Sequence, residues 1–182
     1  GVTIRARAPL RLGLGGGGTD TMPYAETYGG VVINATIDLY ANVTLRTRDD
    51  TTVELRLDDR GDIWTGPAAV PLPIGDRFDL LKGVYNRMCR DYNGGNPVAL
   101  TMNTYADVPP GSGLGTSSAL VVSLVQAFNE LFRAGLSPYQ VAHLAFEIER
   151  IDLGLNGGKQ DQADNYDKDP KTEILGHGCS EA

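Results

Sequence analysis

The sequence predicts an α+β fold. Alternating, β-branched segments fill most of the first hundred residues, and strongly helical segments dominate after residue 115. The strict strand–helix alternation of a doubly wound sheet is missing between them. Residues 2–14 alternate loosely and read as a strand, in which Pro9 implies an edge position, a bulge or a break. The glycine run at 15–18 leads into a helical candidate over 20–28, ended by Gly29 and Gly30. Residues 31–37 and 40–46 are rich in apolar and β-branched types and read as two neighbouring strands. Residues 52–57 alternate cleanly, with Val53, Leu55 and Leu57 on one face. A loop over 58–76 leaves room for a short strand around Trp64.

The second half is more helical. Leu80, Leu81, Val84, Tyr85 and Met88 recur at helical spacing within 78–92. Asn93-Gly94-Gly95-Asn96-Pro97 stops that helix and starts a strand over 98–105. An apolar helix follows over 116–133, ended by Gly135. Ser137-Pro138-Tyr139-Gln140 is a capping box with proline at the first helical position, opening a helix that runs to Leu153 and stops at Gly154. From Ala163 the chain turns polar (Asp164, Asp167, Lys168, Asp169, Lys171, Glu173), and 163–182 reads as a weakly ordered tail.

With 182 residues, 41% hydrophobic and 21% charged, the chain has the means to build one domain with a real core. Its net charge of −7 and the lack of a Lys/Arg stripe speak against nucleic acid as a partner. A phosphorylated ligand stays possible, because loop amides and a metal can offset that charge locally. Cys89 and Cys179 fit no metal spacing and point to a reducing compartment, with Cys89 as a small core residue. No apolar run reaches the roughly 18 residues of a membrane span, and no signal peptide is visible, so the expectation is a cytoplasmic protein without a membrane partner.

Residues 109–119, Pro-Pro-Gly-Ser-Gly-Leu-Gly-Thr-Ser-Ser-Ala, form a glycine-rich turn that runs straight into a helix. Gly111, Gly113 and Gly115 permit a tight turn and close approach of a ligand. Thr116, Ser117 and Ser118 fall where a helix has unpaired N–H groups and partial positive charge. Two readings fit: a phosphate site, or a connection with a hydroxyl N-cap. A second run, residues 13–18, satisfies G-x-G-x-x-G, with Asp38 about where a ribose-binding acid belongs. The consecutive strands after it argue against a nicotinamide site. A Walker loop is missing, since Gly158-Lys159 is followed by Gln160.

A third constellation joins Glu149-Arg150, the loop glycines Gly154, Gly157 and Gly158, and Lys159-Gln160-Asp161-Gln162. Metal-assisted phosphoryl transfer needs such a set: oxygen ligands for Mg²⁺, a carboxylate near the attacking hydroxyl, and cations. By helix geometry Glu149 lies at the edge of the apolar face, which also suits a mere boundary residue, and Asp161 after glycines also suits a turn.

The 109–119 loop resembles the phosphate loop of the GHMP kinases, with Thr116 and Ser118 in place of the usual serine and alanine. Ala8-Pro9-Leu10-Arg11 and Thr19-Asp20 occupy the places of that family's N-terminal substrate motif. The glycine version Gly16-Gly17-Gly18, with Asn34-Ala35-Thr36-Ile37 and Lys159-Gln160-Asp161-Gln162, is most similar to the heptose 7-phosphate and fucokinase-like members. The resemblance implies the family's ribosomal protein S5 domain 2-like fold, a mixed sheet packed against helices, over residues 1–162. It implies an ATP-dependent kinase acting on the anomeric hydroxyl of a heptose 7-phosphate or a related sugar. ATP would sit on Pro110, Gly111, Ser112, Gly113, Leu114, Gly115, Thr116, Ser117 and Ser118, and Mg²⁺ on Ser117 and Glu149. Asp161 and Arg11 would be catalytic, and Gly17, Gly18, Thr19 and Asp20 would hold the sugar. Lys159 is added as a phosphate contact, a surface lysine being the other reading. The family's second domain is not found in 1–182, so the chain reads as part of a longer kinase, with a non-catalytic ATP- or sugar-binding module as the rival and a nicotinamide oxidoreductase a distant third. The oligomeric state is left open.

Overall fold

The structure, a computed structural model, describes residues 1–15, 33–109, 111–154 and 174–176. The helical candidate over 20–28 lies outside the described residues. Six strands and three α-helices are described: β1 Thr3–Gly15, β2 Ile33–Thr47, β3 Thr52–Leu57, β4 Asp62–Pro67, α1 Asp79–Tyr92, β5 Leu100–Ala106, α2 Thr116–Leu131, α3 Pro138–Glu147 and β6 Ile174–Gly176. The sheet order is β4-β3-β5-β2-β1-β6. Only the β3–β5 pairing is parallel; β4–β3, β5–β2, β2–β1 and β1–β6 are antiparallel, so the sheet is mixed. The short strand β6 comes from the segment read as a polar tail and pairs with Ile4, Arg5 and Ala6 of β1.

Alternation decides which face carries the core. Ile4, Ala6, Ala8 and Leu10 of β1, Ala41, Val43 and Leu45 of β2, Val53 and Leu55 of β3 and Leu100 and Met102 of β5 are all buried. Their partners from the helices include Val121, Leu124, Val125 and Phe128 of α2 and Leu81, Val84, Tyr85 and Met88 of α1. Helix α2 packs on β1 and β2, and carries α1 and α3 against its sides.

One expectation is corrected. Over the described residues, the two strands placed at 31–37 and 40–46 are a single strand, β2, from Ile33 to Thr47. The pairing jumps from Pro9↔Tyr40 to Arg11↔Thr36, so residues 37–39 stand opposite Leu10 alone. This irregularity breaks the alternation where the sequence seemed to divide, yet no turn occurs. Of the three roles open to Pro9, the bulge is observed. The helix placed at 138–153 also differs: α3 ends at Glu147, and Ile148–Asp152 form a π-helical turn.

Candidate active site

The loop before α2 rests on β1. Gly111, Gly113 and Gly115 have φ of 79°, 74° and 71°, the left-handed region that side chains rarely adopt. The Leu114 carbonyl accepts the Arg11 N–H at 3.1 Å. A Cβ on Gly115 would lie 2.9 Å from Arg11 Nε, so the arginine side chain packs directly against the loop backbone. Gly115 is the N-cap of α2, without a side-chain cap hydrogen bond and without an acidic residue in the first turn. The hydroxyl N-cap of the connection reading is therefore not what forms. The first turn of α2 presents its N–H groups beside an arginine, a setting suited to an anion.

The phase of α2 then separates its first hydroxyls. Ser118 lies on the face of Val121, Val122 and Val125 and is 1% exposed, whereas Ser117 is exposed. The Ser118 hydroxyl donates to the Glu149 carboxylate at 3.2 and 3.3 Å. Glu149 itself is 6% exposed. It stands in a π turn, closed by the Leu153 N–H bonding to the Ile148 carbonyl at 2.9 Å, five residues back. Glu149 continues the buried face of Ala142 and Ala145 and points inward instead of lying at a boundary. Glu147 stays at the surface, where it binds Arg87 at 2.9 Å.

Beside the loop lies a cavity of about 330 Å³. Leu57, Leu80, Val108 and Leu120 give it apolar walls, Asp59, Arg60 and Arg77 a charged rim, and Thr116 and Ser117 an edge shared with the loop. The Asp59 carboxylate is held in place by accepting the Ala106 N–H at 3.2 Å, and Arg77 is paired with Asp62 at 2.8 Å. None of these three charged residues is singled out by the sequence, because they sit in a loop and a helix start without a motif.

The donors fit a hard cation. Glu149 and the serine hydroxyls offer oxygen only, and no cluster of three or more His, Cys, Asp or Glu is found among the described residues. Oxygen donors of this kind suit Mg²⁺. Arg11, the loop from Gly111 to Ser118, and Glu149 are thus brought together. Pro110, Gly17, Gly18, Thr19, Asp20, Lys159 and Asp161 lie outside the described residues. The nicotinamide reading loses its footing, since β1, which leads into the 13–18 glycine run, pairs antiparallel with β2 and starts no parallel βαβ unit. No helix among the described residues is long and apolar enough to cross a membrane.

Residues 79–164 match the family described as GHMP kinases N terminal domain. The chain is 45% identical over 160 residues to D-glycero-alpha-D-manno-heptose 7-phosphate kinase of Campylobacter jejuni, covering 88% of this chain and 47% of that protein. A crystal structure described as a D-glycero-D-manno-heptose 1-phosphate kinase from Bacteroides thetaiotaomicron superposes with a TM-score of 0.81 at 47% identity, covering 87% of this chain and 52% of the other. Galactokinase of Lactococcus lactis, solved with galactose, shares the fold at a TM-score of 0.71 and 22% identity, covering 88% of this chain and 40% of the other. The chain spans about half the length of the heptose phosphate kinases it matches. Over residues 79–164 the chain matches the GHMP kinase N-terminal domain, and it carries the fold of that domain.

Proposed function

We propose that this chain is the ATP-binding part of a sugar kinase that phosphorylates the anomeric hydroxyl of a heptose 7-phosphate or a related sugar. The observation that carries the reading is the uncapped start of α2, set between Arg11 and the buried pair Ser118–Glu149. Two relatives at 45% and 47% identity are named for heptose phosphates. Their names agree on the sugar and differ on which carbon bears the phosphate.

In this reading the amides of the 111–118 loop take the ATP phosphates, and the neighbouring cavity takes the nucleoside. Ser117, exposed at the cavity edge, and Glu149 would hold Mg²⁺, with Ser118 bracing the carboxylate from behind. Bound Mg²⁺ supplies charge neutralisation on the phosphates being separated. Arg11 adds fixed positive charge next to the loop, so little reorganisation is needed as charge develops. Asp161 would orient the sugar hydroxyl and accept its proton, Gly17, Gly18, Thr19 and Asp20 would hold the sugar, and Lys159 would meet a phosphate.

The test is ATP turnover by the full-length protein with heptose 7-phosphate, heptose 1-phosphate and galactose offered separately, the product's phosphate position being read by ³¹P NMR. A 1,7-bisphosphate from the 7-phosphate is expected. Asp161→Asn should lower the rate at least about 100-fold. An unchanged rate in that variant removes Asp161 from the mechanism, and ATP binding without turnover of any sugar supports a binding module instead.

A further inference from the structure

Glu149 sits on the least regular backbone of the described helices, and one side chain brackets it. Arg87, on α1, directs each edge of its guanidinium at a different carboxylate. Nε meets Asp91 at 2.6 Å, Nη2 meets Glu147 at 2.9 Å, and Nη1 meets Asp152 at 3.0 and 3.1 Å. Glu147 is the last residue of α3 and Asp152 the last of the π turn, so the two bonds grip the turn at both ends. The guanidinium side chain is only 16% exposed. Burial disfavours its charge, but the carboxylates outweigh that and hold it more firmly protonated than usual.

A second contact comes from the same face of α1, one turn earlier. A Cβ on Gly83 would meet the Leu153 methyls at 2.9 Å, so α1 approaches the chain just beyond the π turn as closely as backbone allows. A π turn gives up the regular hydrogen-bond pattern and persists where surrounding contacts over-determine it. Here those contacts are Gly83 and Arg87 on one side and Ser118 on the other.

We infer that Arg87 is a positioning residue that locks the 148–152 π turn and thereby aims the Glu149 carboxylate at the phosphate loop. The inference rests on the kinase reading above, in which Glu149 serves Mg²⁺. Arginine is suited to the task because three separated carboxylates need a planar fork, which a lysine ammonium does not provide.

The experiment compares Arg87→Met, Arg87→Lys and Asp152→Asn in the full-length protein, each also in a Glu149→Gln background. Amide hydrogen exchange of residues 148–153 is read without ligands, alongside the Mg²⁺ and sugar dependence of turnover. Arg87→Met should speed exchange in the turn and raise the half-saturating Mg²⁺ concentration about 10-fold, leaving the sugar KM within about twofold. Arg87→Lys should recover little of this, and Asp152→Asn should shift Mg²⁺ dependence about 3-fold in the same direction. In the Glu149→Gln background the further shift should vanish. Asp152→Asn carries the test by itself where Arg87→Met does not fold. A lowered melting temperature with unchanged Mg²⁺ dependence, or equal losses with and without Glu149, overturns the inference while leaving the kinase reading intact. Wild-type Mg²⁺ dependence in Glu149→Gln alone removes Glu149 from Mg²⁺ and overturns the inference, whereas a wild-type protein that turns over no sugar overturns the kinase reading itself.

Discussion

The starts of α2 and α3 answer the same physical problem in opposite ways. Each helix begins with N–H groups that have no partner inside it. At α3 the chain closes the account itself: Ser137 Oγ accepts the Gln140 N–H at 3.2 Å, and Gln140 Oε1 accepts the Ser137 N–H at 2.9 Å. Helix α1 has no side-chain cap at Phe78, but acids order the turn before it, with Asp79 Oδ1 accepting from Gly75 and Asp76, and Asp76 Oδ1 from Phe78. At α2 a left-handed glycine stands at the N-cap, with no side-chain cap and Arg11 against it. A helix that caps itself has finished its chemistry. One that stays uncapped beside an arginine and a buried carboxylate keeps its donors for an anion.

Substitution at Gly115 should break this contrast with the largest effect. In Gly115→Ala the left-handed φ costs about 1–2 kcal/mol of stability, and the new methyl displaces Arg11 from the loop. ATP affinity measured by calorimetry should fall about 10-fold or more, equivalent to about 1.4 kcal/mol. Gly113→Ala sharpens the point: its φ is similar at 74°, but a methyl there meets nothing within 4 Å. It should cost stability alike and affinity far less. Equal affinity losses in both variants would show that backbone strain, not Arg11, is what matters at Gly115. Next in size is Ser137→Ala, which removes the α3 cap for about 1 kcal/mol in urea unfolding and should leave ATP affinity unchanged. A matching loss of affinity would mean that the two helix starts are not separable.

The capping box, the alternation of β3 and the helical spacing of α1 were legible because each depends on neighbours in sequence. The glycine loop was legible for the same reason. Glu149 was not. Spacing alone leaves it at the edge of an apolar face; its bond from Ser118, and the π turn it stands in, which Arg87 grips from 60 residues away, are announced by no local pattern. The i,i+4 pair Arg87–Asp91 could be read from spacing, but the bonds to Glu147 and Asp152 are tertiary. Ser118 was partly readable: it shares a helix face with Val121 and Val122, which marks it, not Ser117, as the hydroxyl that turns inward toward Glu149. The division of β2 failed because a bulge opposite Leu10 imitates a strand break.

The smallest effect concerns the third helix start. Asp76 Oδ1 accepts the Phe78 N–H at 2.8 Å and its Oδ2 meets Lys82 Nζ at 2.5 Å, and that ammonium also lies 4.4 Å from the centre of the Trp64 ring. Burial raises the Asp76 pKa, but the bonds from Lys82 and the Phe78 N–H more than offset this and hold it below the ordinary aspartate value of 3.8. A carboxylate lowered on folding stabilises the native state above its unfolded pKa, and that contribution is lost as pH falls through the folded value. Because the Asp76 side chain is 42% exposed, solvent screens the pair and the contribution is at most about 1 kcal/mol. Asp76→Asn keeps an acceptor oxygen for the Phe78 N–H and removes the charge. Its urea midpoint should fall slightly below wild type at pH 6–7, and the gap should narrow as the pH drops below 3.8 and the wild-type carboxylate is protonated. A gap that persists unchanged into acid would assign Asp76 to its hydrogen bond with the Phe78 N–H alone. The ammonium of Lys82 would then be held by the Trp64 face and the surrounding packing without needing its counter-charge.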